Sequence, residues 1–410
     1  MYNFAIRLYS FAVKIATPFH RKAKLMLQGQ RNTTAILKAK IDRNARYVWF
    51  HASSLGEFEQ GRPMMEKIKR EYPDYKILLT FFSPSGYEVR KNYLGADVIC
   101  YLPLDTPSNV RKFLDLANPE VAVFIKYEFW ANYLNELHRR GIPTYIVSAI
   151  FRKEQVFFKW YGASYRNVLK CFKHLFVQDQ ASAGLLAKYG IKNVSVCGDT
   201  RFDRVMDICR QAKEVDLIER FVTLPDGSKA LTLVCGSSWP QDETIFVDYF
   251  NEHPDLKLVI APHEIHEEHL QYIESLLKRP SVRFSQADSQ TIQEKDCIII
   301  DCFGLLSSIY RYGEMAYVGG GFGTGIHNVL EAAVYKVPVI FGPKFQKFKE
   351  ARDLIAAGGG FSITDSSSFS AKMDEFLLYK EALAAAGKNA GQMVQSHTGA
   401  TDKIMKILSL

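Results

Sequence analysis

Five glycines fall within seven residues (Gly319, Gly320, Gly321, Gly323 and Gly325), between an apolar run and Ile326-His327-Asn328-Val329-Leu330-Glu331. Glycines let a backbone approach an anion closely, and a helix opening after them offers free N–H groups and a positive dipole end. The spacing is not Gly-x-Gly-x-x-Gly, so the dinucleotide fingerprint does not apply. Two readings fit. One is an anion site, in which Glu331 could also meet ribose hydroxyls. The other is a flexible turn closed by a capping box from Asn328 to Glu331.

Three further segments carry candidate chemistry. In Cys235-Gly236-Ser237-Ser238-Trp239-Pro240, backbone and hydroxyl donors could meet a phosphate, with Pro240 opening a helix. The alternative is an ordinary helix start. In His51-Ala52-Ser53-Ser54-Leu55-Gly56-Glu57, Ser54 and Glu57 have capping-box spacing, yet a carboxylate at a strand end is also where a general base could stand. Lys126-Tyr127-Glu128-Phe129-Trp130 puts Glu128 beside aromatics after an apolar strand, either as a site residue or as a first-turn acid favoured by the helix dipole. His263, His266 and His269 recur every third residue, which is not His-Glu-x-x-His, so no metal site is expected. His263, next to Pro262 at a strand end, could face a ligand alone.

These segments sit where strands give way to helices. Short apolar runs at 47–50, 77–81, 97–101, 121–125 and 144–147 alternate with helical patterns at 57–71, 106–116 and 130–139. A second series of runs lies at 231–235, 256–260, 297–300, 315–318 and 337–341. This alternation predicts an α/β protein of parallel βαβ units in two doubly wound, Rossmann-like halves of the GT-B type, facing a central cleft. Ligands of such sheets bind outside the carboxyl ends of the strands. The expected division is an N-terminal helix at 1–31, a first domain at 32–200, a connection at 201–229 and a second domain at 230–410. No solenoid repeat or low-complexity segment is present.

A net charge of +8 favours acidic partners without choosing among phosphates, nucleic acid and anionic membranes. Seven scattered cysteines without a Cys-x-x-Cys pair fit thiols in a reducing compartment. The first 31 residues hold six basic side chains and no acid. At helical spacing Arg7, Ser10 and Lys14 share one stripe, while Phe4, Leu8, Phe11 and Ile15 share another. Arg7 and Lys14 interrupt the apolar run, so a spanning helix is not expected. No small-residue cleavage site marks a signal peptide. An interfacial helix on anionic headgroups and a terminal helix packed on its own domain both fit the periodicity.

Together these segments resemble the Kdo transferases, which move 3-deoxy-D-manno-octulosonate (Kdo) from its CMP donor onto a lipid A precursor. The resemblance runs from the N-terminal helix to Glu350. It rests on Ser54-Leu55-Gly56-Glu57, Glu128-Phe129-Trp130 and the glycine block through His327-Asn328-Val329-Leu330-Glu331, with Pro338 and Gly342-Pro343 after it. It implies Glu57 as general base, Glu128 as a second active-site acid, and Gly236, Ser237 and Ser238 as a phosphate-binding turn. Gly320, Gly321, His327, Asn328 and Glu331 would bind the nucleotide with His263, and Arg201 would be a possible donor contact. It further implies inversion by direct displacement without metal or cofactor, and a place at the cytoplasmic face of the bacterial inner membrane. The implied partners are CMP-Kdo, a lipid A precursor and an anionic membrane surface, with no nucleic acid.

The chain departs from the family where Gly198-Asp199-Thr200-Arg201-Phe202 carries arginine in place of lysine. Pro262-His263-Glu264 replaces Pro-Arg-His, and Lys347-Phe348 replaces Asn-Phe. A sugar-nucleotide epimerase of the same fold and a non-catalytic membrane-surface protein are the rival readings. The first gives no reason for a basic amphipathic N-terminus, and the second none for the glycine-serine loops.

Overall fold

The computed structural model describes residues 2–408 and 410. The chain divides into two compact units, one running to Arg204 and resuming at Thr398, the other Val205–His397.

In the first unit seven strands form one parallel sheet: β1 (Arg46–Ala52), β2 (Tyr75–Phe81), β3 (Val98–Tyr101), β4 (Val121–Ile125), β5 (Thr144–Ala149), β6 (His174–Val177) and β7 (Val194–Val196). Their order is β3-β2-β1-β4-β5-β6-β7. Strand order therefore reverses between β1 and β4, which pair in parallel with Val48 opposite Val121 and His51 opposite Phe124. The central strands are buried on both faces, as their unbroken apolar runs require. Trp49 packs against Phe113, Phe124 and Tyr133, with ring centroids 4.9, 5.2 and 5.7 Å away. Phe58, Met64, Met65 and Ile68 of the Leu55–Glu71 helix cover the opposite face.

The second unit repeats the plan with β8 (Leu231–Ser238), β9 (Leu256–Pro262), β10 (Ser281–Arg283), β11 (Cys297–Ile299), β12 (Met315–Val318), β13 (Val339–Phe341) and β14 (Gly360–Ser362). Its order is β10-β11-β9-β8-β12-β13-β14, so the reversal lies between β8 and β12. The expected α/β architecture of two doubly wound parallel sheets is present.

The boundaries differ from those expected. The N-terminal stretch forms two helices, Tyr2–Ala16 and Arg21–Lys40, and the second runs through the expected boundary at 31. It lies flat on the sheet because Gly29 faces Tyr101, where a Cβ would come within 2.1 Å of the ring, and Thr33 donates to the Tyr101 carbonyl at 2.8 Å. The expected connection at 201–229 contains the Arg201–Gln211 and Asp216–Val222 helices. The last helix, Ala400–Ile407, belongs to the first unit. Ile404, Met405 and Leu408 join that unit's core, and the Asp203 carboxylate accepts from the Gly399 and Thr401 N–H groups at 2.5 and 2.6 Å. Charge and apolar pattern together draw the chain's end back across the boundary.

Candidate functional site

In the first unit both candidate carboxylates stand at the β1/β4 reversal, one in the segment after each strand. Ser54 caps the Leu55–Glu71 helix, and its N–H donates to Glu57 Oε2 at 3.0 Å while its hydroxyl also meets that oxygen. The capping box read from the sequence is formed, and Glu57 keeps partial exposure. Glu128 follows Lys126, a non-glycine residue held at φ +66°, in the left-handed region that side chains enter only under constraint. The residue is 9% exposed, and its carboxylate meets Trp130 Nε1–H and His51 Nε2, at 2.5 and 3.1 Å.

His51 was not singled out from the sequence, yet its surroundings determine its tautomer. Nδ1 lies 3.2 Å from the Thr80 carbonyl and 2.9 Å from Thr80 Oγ1, and that hydroxyl already accepts from Trp49 Nε1 at 2.8 Å. A carbonyl can only accept, so Nδ1 is assigned the hydrogen. Nε2 accepts from Trp130 Nε1–H at 3.1 Å, beside the Glu128 carboxylate. A buried imidazole and an indole thus hold Glu128 in one orientation. Rings also link it to the N-terminal helix: Trp130 lies 4.7 Å from Phe82, which stacks on Tyr9 at 6.3 Å. Burial raises the Tyr127 phenol above its ordinary value, and Glu57 is among the carboxylates that raise it further.

Arg201 is engaged within the same unit. Its Nε and Nη2 donate to Asp199 Oδ2 at 3.0 and 2.8 Å, and Asp199 also accepts from Gln60 at 3.1 Å. Burial opposes ionisation of Asp199, but the Arg201 charge and hydrogen bonds outweigh it and hold the carboxyl below its ordinary value. Much of the guanidinium's donor capacity is therefore spent on an internal carboxylate.

In the second unit the two glycine-bearing loops meet at the β8/β12 reversal. Gly319 makes the approach possible: a Cβ there would lie 2.3 Å from the Ser237 carbonyl oxygen and 2.7 Å from Ser238 Cα. Asp242 ties the loops together, accepting from Trp239 N at 3.0 Å, Gly320 N at 2.9 Å and Tyr317 OH at 2.8 Å. Burial raises this carboxyl above its ordinary value, with those hydrogen bonds acting against the shift. The sequence showed Asp242 only as a first-turn acid after Pro240, with no sign that its partner would be the glycine block.

Two expected donors are spent internally. The Ser238 hydroxyl is fully buried and donates to Glu243 Oε1 at 2.8 Å, and the Gly320 N–H goes to Asp242. Ser237, at φ +52°, and Gly321 remain at the loop bend. The helix expected after the glycines is one turn, Leu330–Ala333, because Lys336 at φ +62° and Pro338 end it. Its dipole is correspondingly small. Asn328 accepts from Leu330 N at 3.2 Å and donates to Glu331 Oε1 at 2.9 Å, close to the expected cap. Lys344, also unforeseen, sets its ammonium on the Gly323 and Phe322 carbonyls at 2.8 and 3.1 Å. It puts a cation on the glycine loop.

The histidines separate as their environments dictate. His263 stacks between Trp239 at 4.8 Å and His327 at 4.4 Å, and Trp239 Nε1 donates to His327 Nε2 at 3.2 Å. Burial, helped by His263, lowers His327 to about 4, so it is neutral at physiological pH. His266 caps the Glu267–Leu276 helix, while His269 is buried against Glu243 at 2.9 Å. Among the described residues no group of three His, Cys, Asp or Glu could hold a metal ion.

Residues 26–204 match the family model for 3-deoxy-D-manno-octulosonic-acid transferase (kdotransferase). The chain is 28% identical over 350 residues to the 3-deoxy-D-manno-octulosonic acid transferase of Aquifex aeolicus, covering 83% of this chain and 89% of that one. Over most of its length the chain is thus similar to Kdo transferases. The Haemophilus influenzae Kdo transferase is 25% identical over 375 residues, covering 88% of this chain and 86% of that one. The matched segment contains Glu57, Glu128 and Arg201. Among solved structures, UDP-GlcNAc 2-epimerase from Neisseria meningitidis superposes with a TM-score of 0.60 at 15% identity, over 88% of this chain and 98% of that one. That likeness shows the fold of two Rossmann-like units.

Proposed function

We propose that the chain transfers Kdo from CMP-Kdo onto a lipid A precursor at the cytoplasmic face of the bacterial inner membrane. The observation that carries this reading is the pair of carboxylates at the β1/β4 reversal, inside the segment that matches the Kdo transferase model. An acceptor hydroxyl attacks the anomeric carbon, and its proton passes to Glu57. The bond from that carbon to the phosphate oxygen breaks, and CMP leaves with the electron pair. Glu128, held by His51 and Trp130, is a second acid fixed in place without reorganisation.

The second unit would hold the nucleotide. CMP carries a single phosphate, which loop N–H groups, the start of the Pro240–Glu252 helix and the Lys344 ammonium can satisfy without a divalent metal. Neutral His327, with its Nε2 already accepting, presents Nδ1–H as a further donor. Glu331 would meet the ribose.

Support for the membrane location comes from the Tyr2–Ala16 helix. Phe4, Leu8, Phe11 and Ile15 are 73, 58, 62 and 57% exposed along one stripe, while Tyr2 fixes the helix start to Asp105 at 2.6 Å. Such a face suits the headgroup boundary. No helix among the described residues is long and apolar enough to cross a membrane. Incubation with labelled CMP-Kdo and lipid A precursor tests the reading. A Kdo-bearing lipid is expected, and hydrolysis or epimerisation of the donor with no labelled lipid would refute it.

A further inference from the structure

Between the Tyr2–Ala16, Arg21–Lys40 and Pro107–Ala117 helices lies an open groove of about 340 Å³. Each helix contributes one cation to its lining: Lys14, Arg31 and Lys112. None of the three forms an ion pair among the described residues, and no carboxylate lines the groove. Gln30 also lines it, and its Nε2 is buried with no acceptor among the described residues. A buried donor without a partner costs free energy unless an oxygen from outside meets it. The floor is apolar, with Leu27, Leu104 and Phe113 beneath the charges.

We infer that this groove binds the phosphate headgroup of a membrane amphiphile. Three cations from three different helices, with an orphan amide donor among them, exceed what one carboxylate can use. A phosphomonoester brings close to two negative charges and three acceptor oxygens, enough for all four groups. The apolar floor suits the glycerol and first acyl carbons behind that phosphate. Lys14 and Ser10 line the groove from the same helix whose other stripe exposes Phe4, Leu8 and Phe11. The inference rests on the membrane reading above but adds a discrete, saturable site.

Dihexanoyl phosphatidic acid, kept monomeric, is the probe, titrated calorimetrically into the full chain. Saturable one-to-one binding is expected, about tenfold tighter than inorganic phosphate, with none for dihexanoyl phosphatidylcholine. Arg31→Gln and Lys112→Gln should each weaken it about tenfold, since each removes a charge-assisted contact. Both positions are exposed, so melting temperatures should stay at the wild-type value. Non-saturable binding, equal binding of the choline lipid, or indifference to both substitutions would overturn the site. Inorganic phosphate binding as tightly as the lipid would overturn the amphiphile in favour of a free anion. Flotation on phosphatidylglycerol vesicles separates the two readings: Lys112→Gln should still float, whereas a wild-type chain that does not float refutes the membrane reading while the monomer titration stands.

Discussion

Glu57 has two jobs in the account above, and a single pair of substitutions separates them. As the third residue of its helix it accepts from the Ser54 N–H at 3.0 Å. As the proposed base it takes the acceptor's proton. Glutamine preserves the first role, because a capping box works with either side chain. It abolishes the second, because an amide oxygen is a negligible base. Alanine removes both. Loss of the cap costs about 1 kcal/mol, which for a unit of this size lowers the melting temperature by about 2–4 °C. Loss of a general base lowers the rate on the order of a hundredfold to ten-thousandfold. Glu57→Gln should therefore melt near wild type with transfer almost gone, and Glu57→Ala should match its rate while melting a few degrees lower. Melting curves and single-turnover transfer of labelled Kdo measure both. If the glutamine variant turns over at the wild-type rate while the alanine variant only melts earlier, Glu57 is a cap and nothing more.

Four further outcomes are expected. Calorimetry with CMP in EDTA should show binding, weakened about tenfold by Glu331→Gln and unchanged by Glu57→Gln; binding that returns only with magnesium contradicts the metal-free assignment. Phe4→Glu with Phe11→Glu should move the chain off anionic vesicles in flotation while leaving CMP affinity intact, and unaltered flotation would count against the helix. Gly319→Ala should destabilise the second unit by about 1–3 kcal/mol and weaken CMP binding, because the new methyl meets backbone rather than a movable side chain; a wild-type denaturation midpoint would refute that packing. Because His327 is lowered to about 4 in the folded chain, the unfolded chain takes up that proton first as pH falls from about 6.5 towards 4. Stability is thus lost with falling pH, by about 1 kcal/mol at pH 5 once solvent screening of the part-exposed ring is allowed for. His327→Gln should flatten that part of the pH profile in urea titrations, and parallel profiles would contradict it.

The sequence carried the local features well. The strand ends before Lys126 and Gly319 and the Ser54–Glu57 cap are set by neighbours within a turn, so periodicity and capping chemistry reveal them, whereas β1 and β8 run on past the apolar runs expected at 47–50 and 231–235. Strand order is not local. Nothing in the residues around Glu57 says that β4, rather than β3, lies beside β1, so the meeting of the two carboxylate-bearing segments had to be seen. The same holds for Asp242, whose Gly320 partner lies 78 positions away, and for His51, whose Glu128 partner lies 77 away. Ser238 looked like a phosphate donor because its type and loop were right, but its hydroxyl is turned inward to Glu243. The short strands β6, β7, β10 and β14 have three or four residues each, too few for a periodic signal.

The return of the Ala400–Ile407 helix makes the second unit an insertion within the first. The chain crosses between the units twice, near 204 and near 397, so one domain is contiguous in sequence and the other is not. On a ribosome, residues to Arg204 emerge with the surface for Ile404, Met405 and Leu408 still bare and Asp203 without its N–H donors. Val205–His397 is contiguous, so all of its residues are available as soon as it is made. The unit that starts synthesis is thus the one that finishes folding, and until the last helix arrives it keeps an apolar seam open to chaperones or to other chains. Its proposed catalytic carboxylates reach their finished scaffold only when the rest of the protein has been built.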